Sequence, residues 1–161
     1  MVSATLVTDN PALFEAAFPE GGVLLGIDLG TRTIGLASCD AGWRFATAGK
    51  TLVRGKFGTD RETLSARIRE RGATGLVVGL PRNMDGSEGP RAQASRAYAR
   101  NLAEAFGLPI LLWDERWSTA SADAAMIGQD MSRAKRAERI DSHAAAVILQ
   151  GAIDRLAGSA F

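Results

Sequence analysis

Three groups of acidic residues stand at the ends of otherwise apolar runs. Asp28 closes the run Val23-Leu24-Leu25-Gly26-Ile27, Asp114 and Glu115 close Ile110-Leu111-Leu112-Trp113, and Asp141 opens a stretch containing Ala144, Ala145, Val147 and Ile148. A carboxylate buried without a partner costs several kcal/mol, so each of these acids needs compensation. Ends of neighbouring strands and the start of a covering helix can converge, which would bring Asp28, one of Asp114 and Glu115, and Asp141 together. Like charges at that range raise one another's pKa and oppose folding. A hard divalent cation removes the conflict, because Mg²⁺ takes a few carboxylates and keeps water and substrate phosphate as its other ligands. Two such ions, about 3.5–4 Å apart, would activate a water and stabilise the leaving oxygen of a phosphodiester. The pattern predicts a nuclease site. Taken singly, each acid also has a plainer reading: Asp28 as a turn former, Asp141 as a helix-start acid favoured by the dipole, Glu115 as half of a surface ion pair with Arg116.

The elements that would position these acids follow from periodicity. Residues 23–29, 33–39 and 43–48 read as strands separated by the turn-rich pieces Gly30-Thr31-Arg32 and Asp40-Ala41-Gly42, and links this short imply an antiparallel meander. The period then changes. Residues 60–71 read as a charged helix, 75–80 as a buried strand, 90–106 as a helix and 109–113 as a strand; 118–127 and 139–156 read as further helices, with Gly128 suited to end the first. Residues 1–22 read as an N-terminal appendage in which Asn10 caps and Pro11 opens a short helix with Leu13, Phe14, Ala17 and Phe18 on one face. The fold class expected is α/β: one domain, residues 23–157, with a mixed five-stranded sheet flanked by helices on both faces.

At 161 residues with 46% hydrophobic and 23% charged side chains, the chain is one ordinary globular domain, and disordered, collagen-like and coiled-coil classes fit poorly. The single cysteine, Cys39, excludes an intramolecular disulfide framework and a multi-cysteine zinc cluster. No apolar run approaches the roughly 20 residues of a membrane span, and the N-terminus lacks a signal-peptide pattern. A reducing, cytoplasmic setting with no membrane partner is expected. The net charge of +1 predicts no polyanion partner by itself, but its distribution does. Residues 1–24 hold three acids and no Lys or Arg, whereas Arg91, Arg96 and Arg100 fall in an acid-free stretch and Arg133, Lys135, Arg136 and Arg139 face only Glu138. Such patches can track a phosphate backbone; solvated helix faces are the alternative.

Several blocks together resemble the YqgF/RuvX family. They are Gly26-Ile27-Asp28-Leu29-Gly30-Thr31-Arg32, Ile34-Gly35-Leu36-Ala37, Val78-Gly79-Leu80-Pro81, Asn83-Met84-Asp85-Gly86-Ser87-Glu88-Gly89-Pro90, Asp114-Glu115-Arg116, and Asp141 with Ala144-Ala145 and Ile148-Leu149-Gln150. The match runs from about residue 23 to 154. The resemblance implies a ribonuclease H-like fold related to Holliday junction resolvases and a role in maturing the 5′ end of pre-16S rRNA during ribosome biogenesis. It also implies catalysis with Mg²⁺ or Mn²⁺ on Asp28, Glu115 and Asp141, with Asp114 a lesser ligand candidate because adjacent strand residues face opposite ways. Cys39 stands where the family usually has Ser, and Trp117-Ser118 replaces a more usual Leu-Thr; neither change removes a carboxylate.

The remaining features are read for a polyanion substrate. The loop at 83–89 feeds a helix through Pro90, so its N–H groups and Arg91 are candidates to hold a phosphate, against a plain helix entry capped near Ser87 or Glu88. Arg116 is read either as a stabiliser of phosphoryl oxygens or as a prop for Glu115. Arg32, Arg91, Arg116, Arg133, Lys135 and Arg136 form the expected nucleic-acid contacts. His143 is read as structural, and Trp113 and Trp117 as core side chains in preference to base-stacking ones. The partners expected are precursor rRNA, branched DNA and ribosomal particles, with the chain a monomer or weak homodimer. A resolvase acting on DNA would need a two-fold dimer. A non-catalytic RNA- or junction-binding module is a further reading. The Gly-Ile-Asp-Leu-Gly-Thr segment also resembles the phosphate loop of the actin, sugar-kinase and Hsp70 ATPases, but 161 residues supply only one of the two domains those enzymes need.

Overall fold

The protein is described by a computed structural model covering residues 5–117 and 133–158, with side chains described at 5–117 and 142–157. The strands are β1 (Val7–Thr8), β2 (Leu24–Leu29), β3 (Thr33–Cys39), β4 (Ala46–Val53), β5 (Gly75–Leu80) and β6 (Ile110–Asp114). The helices are α1 (Pro11–Ala16), α2 (Phe57–Arg71), α3 (Pro90–Phe106) and α4 (Arg133–Gly158), with one 3₁₀ turn at Glu115–Trp117. The described strands form one sheet in the order β1-β6-β5-β2-β3-β4. Strands β2, β3 and β4 make the antiparallel meander, while β5 joins β2, and β6 joins β5, in parallel.

The sheet has six strands where five were expected. Val7 and Thr8 pair in parallel with Ile110 and Leu111, adding an edge that is too short to show an alternating pattern. The same N-terminal segment drives Phe14 and Phe18 into the core beside Trp43, whose Nε1 donates to the Gly22 carbonyl at 2.7 Å. Strand β4 begins at Ala46, not near Trp43, because the Asp40 carboxylate takes hydrogen bonds from the backbone N–H groups of Gly42, Arg44 and Phe45, each at 3.0 Å. That cap holds residues 40–45 in a tight turn with Trp43 at a left-handed φ of 59°.

Alternation along the strands builds two cores. Leu25, Ile27 and Leu29 of β2, Leu76, Val78 and Leu80 of β5, and Ile110 and Leu112 of β6 face Leu64 of α2 and Tyr98, Ala99 and Leu102 of α3. Leu24, Val77, Leu111 and Trp113 face Phe14 and the α4 residues Ala145, Ile148, Leu149 and Ile153. Helices α2 and α3 stop at Gly72 and Gly107, both left-handed. Helix α4 starts at Arg133, six residues before the expected position, because the charged run Arg133-Ala134-Lys135-Arg136-Ala137-Glu138 consists of good helix formers. Asp141 therefore lies about two turns inside the helix and is not its opening acid. The helix expected at 118–127 and its Gly128 stop lie outside the described residues.

Candidate active site at the ends of the parallel strands

Strand parity decides which acids can meet. On β2, Asp28 shares a face with Gly26, whose backbone lies so close to α4 that a Cβ there would sit 2.9 Å from the Leu149 Cβ and 3.2 Å from the Ala145 carbonyl. On β6, Trp113 faces α4, Asp114 faces the opposite side, and Glu115 at the start of the 3₁₀ turn comes back to the α4 side. Between them runs β5, in register Ile27 to Val78 on one edge and Gly79 to Trp113 on the other, so the next rung sets Asp28 beside Gly79. A Cβ on Gly79 would stand 2.5 Å from Glu115 Oε1 and 2.8 Å from Ile148 Cδ1. The missing side chain leaves the space through which Glu115 crosses β5 and hydrogen-bonds to the Asp28 carboxyl.

That meeting sets the protonation of the pair. Burial pushes the Glu115 pKa up from 4.5 to about 7, and the Asp28 charge and the shared hydrogen bond push the same way, while the positive charge of Arg91 opposes them. In the absence of a cation Glu115 therefore keeps its proton up to about pH 7. Arg91, exposed on the first turn of α3, is thus, among the described residues, a basic residue whose field reaches Glu115.

Asp114 lies elsewhere. It is 2% exposed and bound to Arg116 through the backbone N–H at 2.9 Å and the guanidinium at 2.6 to 3.1 Å, with Arg82 at 3.4 Å. The Arg116 hydrogen bonds hold its carboxyl below the usual range. Asp114 thus belongs to an arginine–carboxylate network in which Arg82 also bonds Asp9 and Glu88, and Arg96 bonds Glu88 and Asp9. Two sequence readings change accordingly. Arg116 neither props Glu115 nor points at the pair: its Nε and Nη2 donate to Asp114, and its Nη1 donates to the Met84 carbonyl at 3.4 Å and pins the 83–89 loop. Arg96 is neutralised by Glu88 and Asp9, so the basic stretch at 91–103 contributes Arg91 and Arg100 to solvent. The loop itself is closed by hydrogen bonds from Asn83 N to Ser87 O, Gly86 N to Asn83 O and Ser87 N to Asp85 Oδ1. Gly89, not Ser87 or Glu88, is the N-cap of α3, with no side-chain cap.

The backbone of α4 brings Asp141 to the same rung. Asp28 pairs with Gly35, Gly35 with Thr51, and the Thr51 hydroxyl is 2.5 Å from the Ser142 hydroxyl. Asp141 directly precedes Ser142 and stands one turn before Ala145, which packs over Gly26. The side chain of Asp141 lies outside the described residues, as do those of Arg133, Lys135 and Arg136. Among the described residues no group of three or more His, Cys, Asp or Glu side chains gathers. Arg32 is exposed on the β2–β3 turn that follows Asp28. His143 is half-buried, its Nε2 without a hydrogen-bond partner among the described residues. Trp113 is in the core as expected, but Trp117 is 54% exposed, held edge-on against Trp113 with centroids 4.9 Å apart.

The residue that sequence reasoning missed is Gly79. It was visible as a glycine interrupting an apolar strand, the usual sign of a close approach.

The donor set suits a divalent cation. Two partly buried carboxyls that meet through a hydrogen bond, with a glycine keeping the space between them open, supply hard oxygen ligands whose mutual repulsion a cation relieves.

Comparison with known proteins places this geometry. The family described as RuvX, Holliday junction resolvase, matches residues 22–155. A Novosphingobium aromaticivorans protein named "Putative pre-16S rRNA nuclease" is 64% identical over 97% of this chain and 100% of its own length. A Sphingopyxis alaskensis protein of the same name is 60% identical over 94% of this chain and 99% of its own. Among solved structures, Thermus thermophilus RuvC in complex with a Holliday junction substrate superimposes with a TM-score of 0.52 at 13% identity, covering 79% of this chain and 91% of that one. That likeness shows a shared ribonuclease H-like fold.

Proposed function

The chain belongs to the RuvX family, and on that footing we propose that it is a divalent-metal-dependent nuclease that hydrolyses phosphodiester bonds in the 5′ region of pre-16S rRNA. The observation that carries the reading is the contact of Asp28 with Glu115 across Gly79. Residues 23–157 form the nuclease unit in this proposal, with residues 1–22 bracing it. The setting is the cytoplasm, and the substrate is free precursor RNA or precursor RNA within a ribosomal particle.

Asp28 and Glu115 would hold the cation, with Asp141 of α4 the third ligand in this proposal. Mg²⁺ or Mn²⁺ bound there supplies Lewis-acid activation of a water and charge stabilisation at the departing oxygen. Glu115 must lose its proton to take part, so affinity for the cation rises with pH up to about 7. Arg91 lies within electrostatic range of Glu115 and is free to fix the phosphate next to the scissile bond. Arg32 adds positive charge after β2, and Arg133, Lys135 and Arg136 are the further backbone contacts in this proposal. Asp114 and Arg116 act on the neighbouring loop and not on phosphate.

The test is incubation of the full chain and of Asp28→Asn with labelled precursor 16S rRNA and four-way junction DNA, in Mg²⁺, Mn²⁺ or EDTA. Metal-dependent cutting of the RNA by the unsubstituted chain, abolished by Asp28→Asn, is the expected result. Cutting of the junction alone would replace rRNA maturation by junction resolution, the activity in the family description. Turnover in Asp28→Asn equal to that of the unsubstituted chain would overturn the site.

A further inference from the structure

Two large apolar side chains stand in water on the segments that follow β5 and β6. Met84, at the tip of the 83–89 loop, is 91% exposed, and Trp117 is 54% exposed. Burying a Met or an aromatic side chain is worth about 1.5–3 kcal/mol, so both positions forgo stabilisation that the fold could have taken. Neither is loosely held. The hydrogen bonds at 83–87 close the Met84 loop, and Trp117 rests edge-on against buried Trp113. Arg116 ties the two together: it precedes Trp117 in the 3₁₀ turn and donates to the Met84 carbonyl at 3.4 Å, while Asp114 fixes its guanidinium. Both residues follow the C-terminal ends of β5 and β6, the sheet end at which Asp28 and Glu115 also lie, and Trp117 borders the Asp114 and Arg82 side chains. Arg91, exposed on the helix that the Met84 loop feeds, adds positive charge on the same side.

We propose that Met84 and Trp117 form a stacking platform for unpaired bases of single-stranded RNA next to the bond that is cut. The inference rests on the nuclease reading above and deepens it by naming the substrate form. A flat indole face and a polarizable thioether receive a base whatever its identity, whereas bases already stacked in a duplex present no free face. The closed Met84 loop and the contact of Trp117 with Trp113 keep the ordering cost of binding low. The device therefore selects unpaired strands without selecting sequence, and Arg91 sets the backbone phosphate beside it.

Tryptophan emission tests this in the full chain in EDTA, where no cleavage occurs. Trp43 and Trp113 are 7% and 5% exposed, so quenching by added nucleic acid reports on Trp117. A twelve-nucleotide oligouridylate is expected to quench the emission, and Trp117→Ala is expected to remove the quench and weaken that oligonucleotide's binding by about five- to a hundred-fold. Trp117→Phe should restore most of the affinity, and Met84→Gln should weaken it by about three-fold or more. Binding of a duplex RNA of equal length should change by less than about two-fold in each variant. Equal losses on duplex and single strand, or an unquenched signal at saturation, would overturn the platform. Met84 is almost wholly solvent-exposed, so Met84→Gln keeps the test valid if Trp117→Ala fails to fold. The unsubstituted chain with precursor 16S rRNA in Mg²⁺ provides a separate arm: quenching without cleavage overturns the nuclease reading and supports the platform, and cleavage without quenching does the reverse.

Discussion

Replacing Glu115 by Gln should stabilise the metal-free protein, and the amount follows from the pair's geometry. Glu115 ordinarily titrates at 4.5 and in the fold titrates at about 7, chiefly because the carboxyl is taken out of water and then because Asp28 faces it. A group whose folded pKa is raised binds its proton more tightly in the fold. Its favourable contribution is complete below about pH 4.5 and is lost as pH rises through about 7. The loss amounts to about 3 kcal/mol once both states are ionised. Glu115→Gln carries no such proton and escapes that loss. Thermal unfolding in EDTA at pH 5, 6, 7 and 8 measures it directly, since about 3 kcal/mol moves the midpoint of a domain this size by about 6–12 °C. Relative to Glu115→Gln, the unsubstituted chain should lose about 2.5 kcal/mol of it, or about 5–10 °C, between pH 5 and pH 8. Asp28→Asn keeps the burial and removes the facing charge, so its curve should fall between the two. Added Mg²⁺ should raise the pH 8 midpoint of the unsubstituted chain and leave that of Glu115→Gln nearly unmoved. Parallel pH curves for the unsubstituted chain and Glu115→Gln would refute the reasoning.

Further outcomes follow from the same contacts. Gly79→Ala puts a methyl 2.5 Å from Glu115 Oε1 and should lower Mg²⁺ affinity at least ten-fold, on the order of the loss when a ligand's support is disturbed; titration calorimetry reads this, and unchanged affinity would mean Glu115 does not need that space. Arg91→Ala should weaken RNA binding and reduce the slope of log affinity against log salt by about one, measured between about 50 and 200 mM salt. A slope that does not change would remove Arg91 from the phosphate contacts. Arg116→Ala frees the Met84 loop from its anchor and should lower the melting temperature while leaving Mg²⁺ affinity as it was; a loss of metal affinity would return Arg116 to the site.

Much of this arrangement was legible in the sequence, and the limits of that reading are physical. Asp28 and Glu115 announce themselves because a carboxylate at the end of a wholly apolar strand needs a partner, and alternation along β6 means that only one of Asp114 and Glu115 faces Asp28. Which one does so depends on where the 3₁₀ turn begins, and periodicity does not report that. The Asp9, Arg82, Glu88, Arg96 and Asp114 network joins residues up to 105 positions apart in the chain. Its arginines therefore look like free basic charge when read in line, and only packing reveals their acids. Strand β1 has two residues, below the length at which alternation can register. The early start of α4 was hidden because its first turns are charged rather than amphipathic. Trp117 was misjudged because aromatic residues usually bury their area, and exposure of one cannot be read from its neighbours in sequence.

A crystal structure of the full chain grown in Mn²⁺ at pH 8 tests the central claim most directly. Anomalous density bonded to carboxylate oxygens of both Asp28 and Glu115, with the hydrogen bond between them gone, is the predicted result. Carboxyls still bonded to each other under saturating Mn²⁺, with no anomalous peak between them, would contradict it.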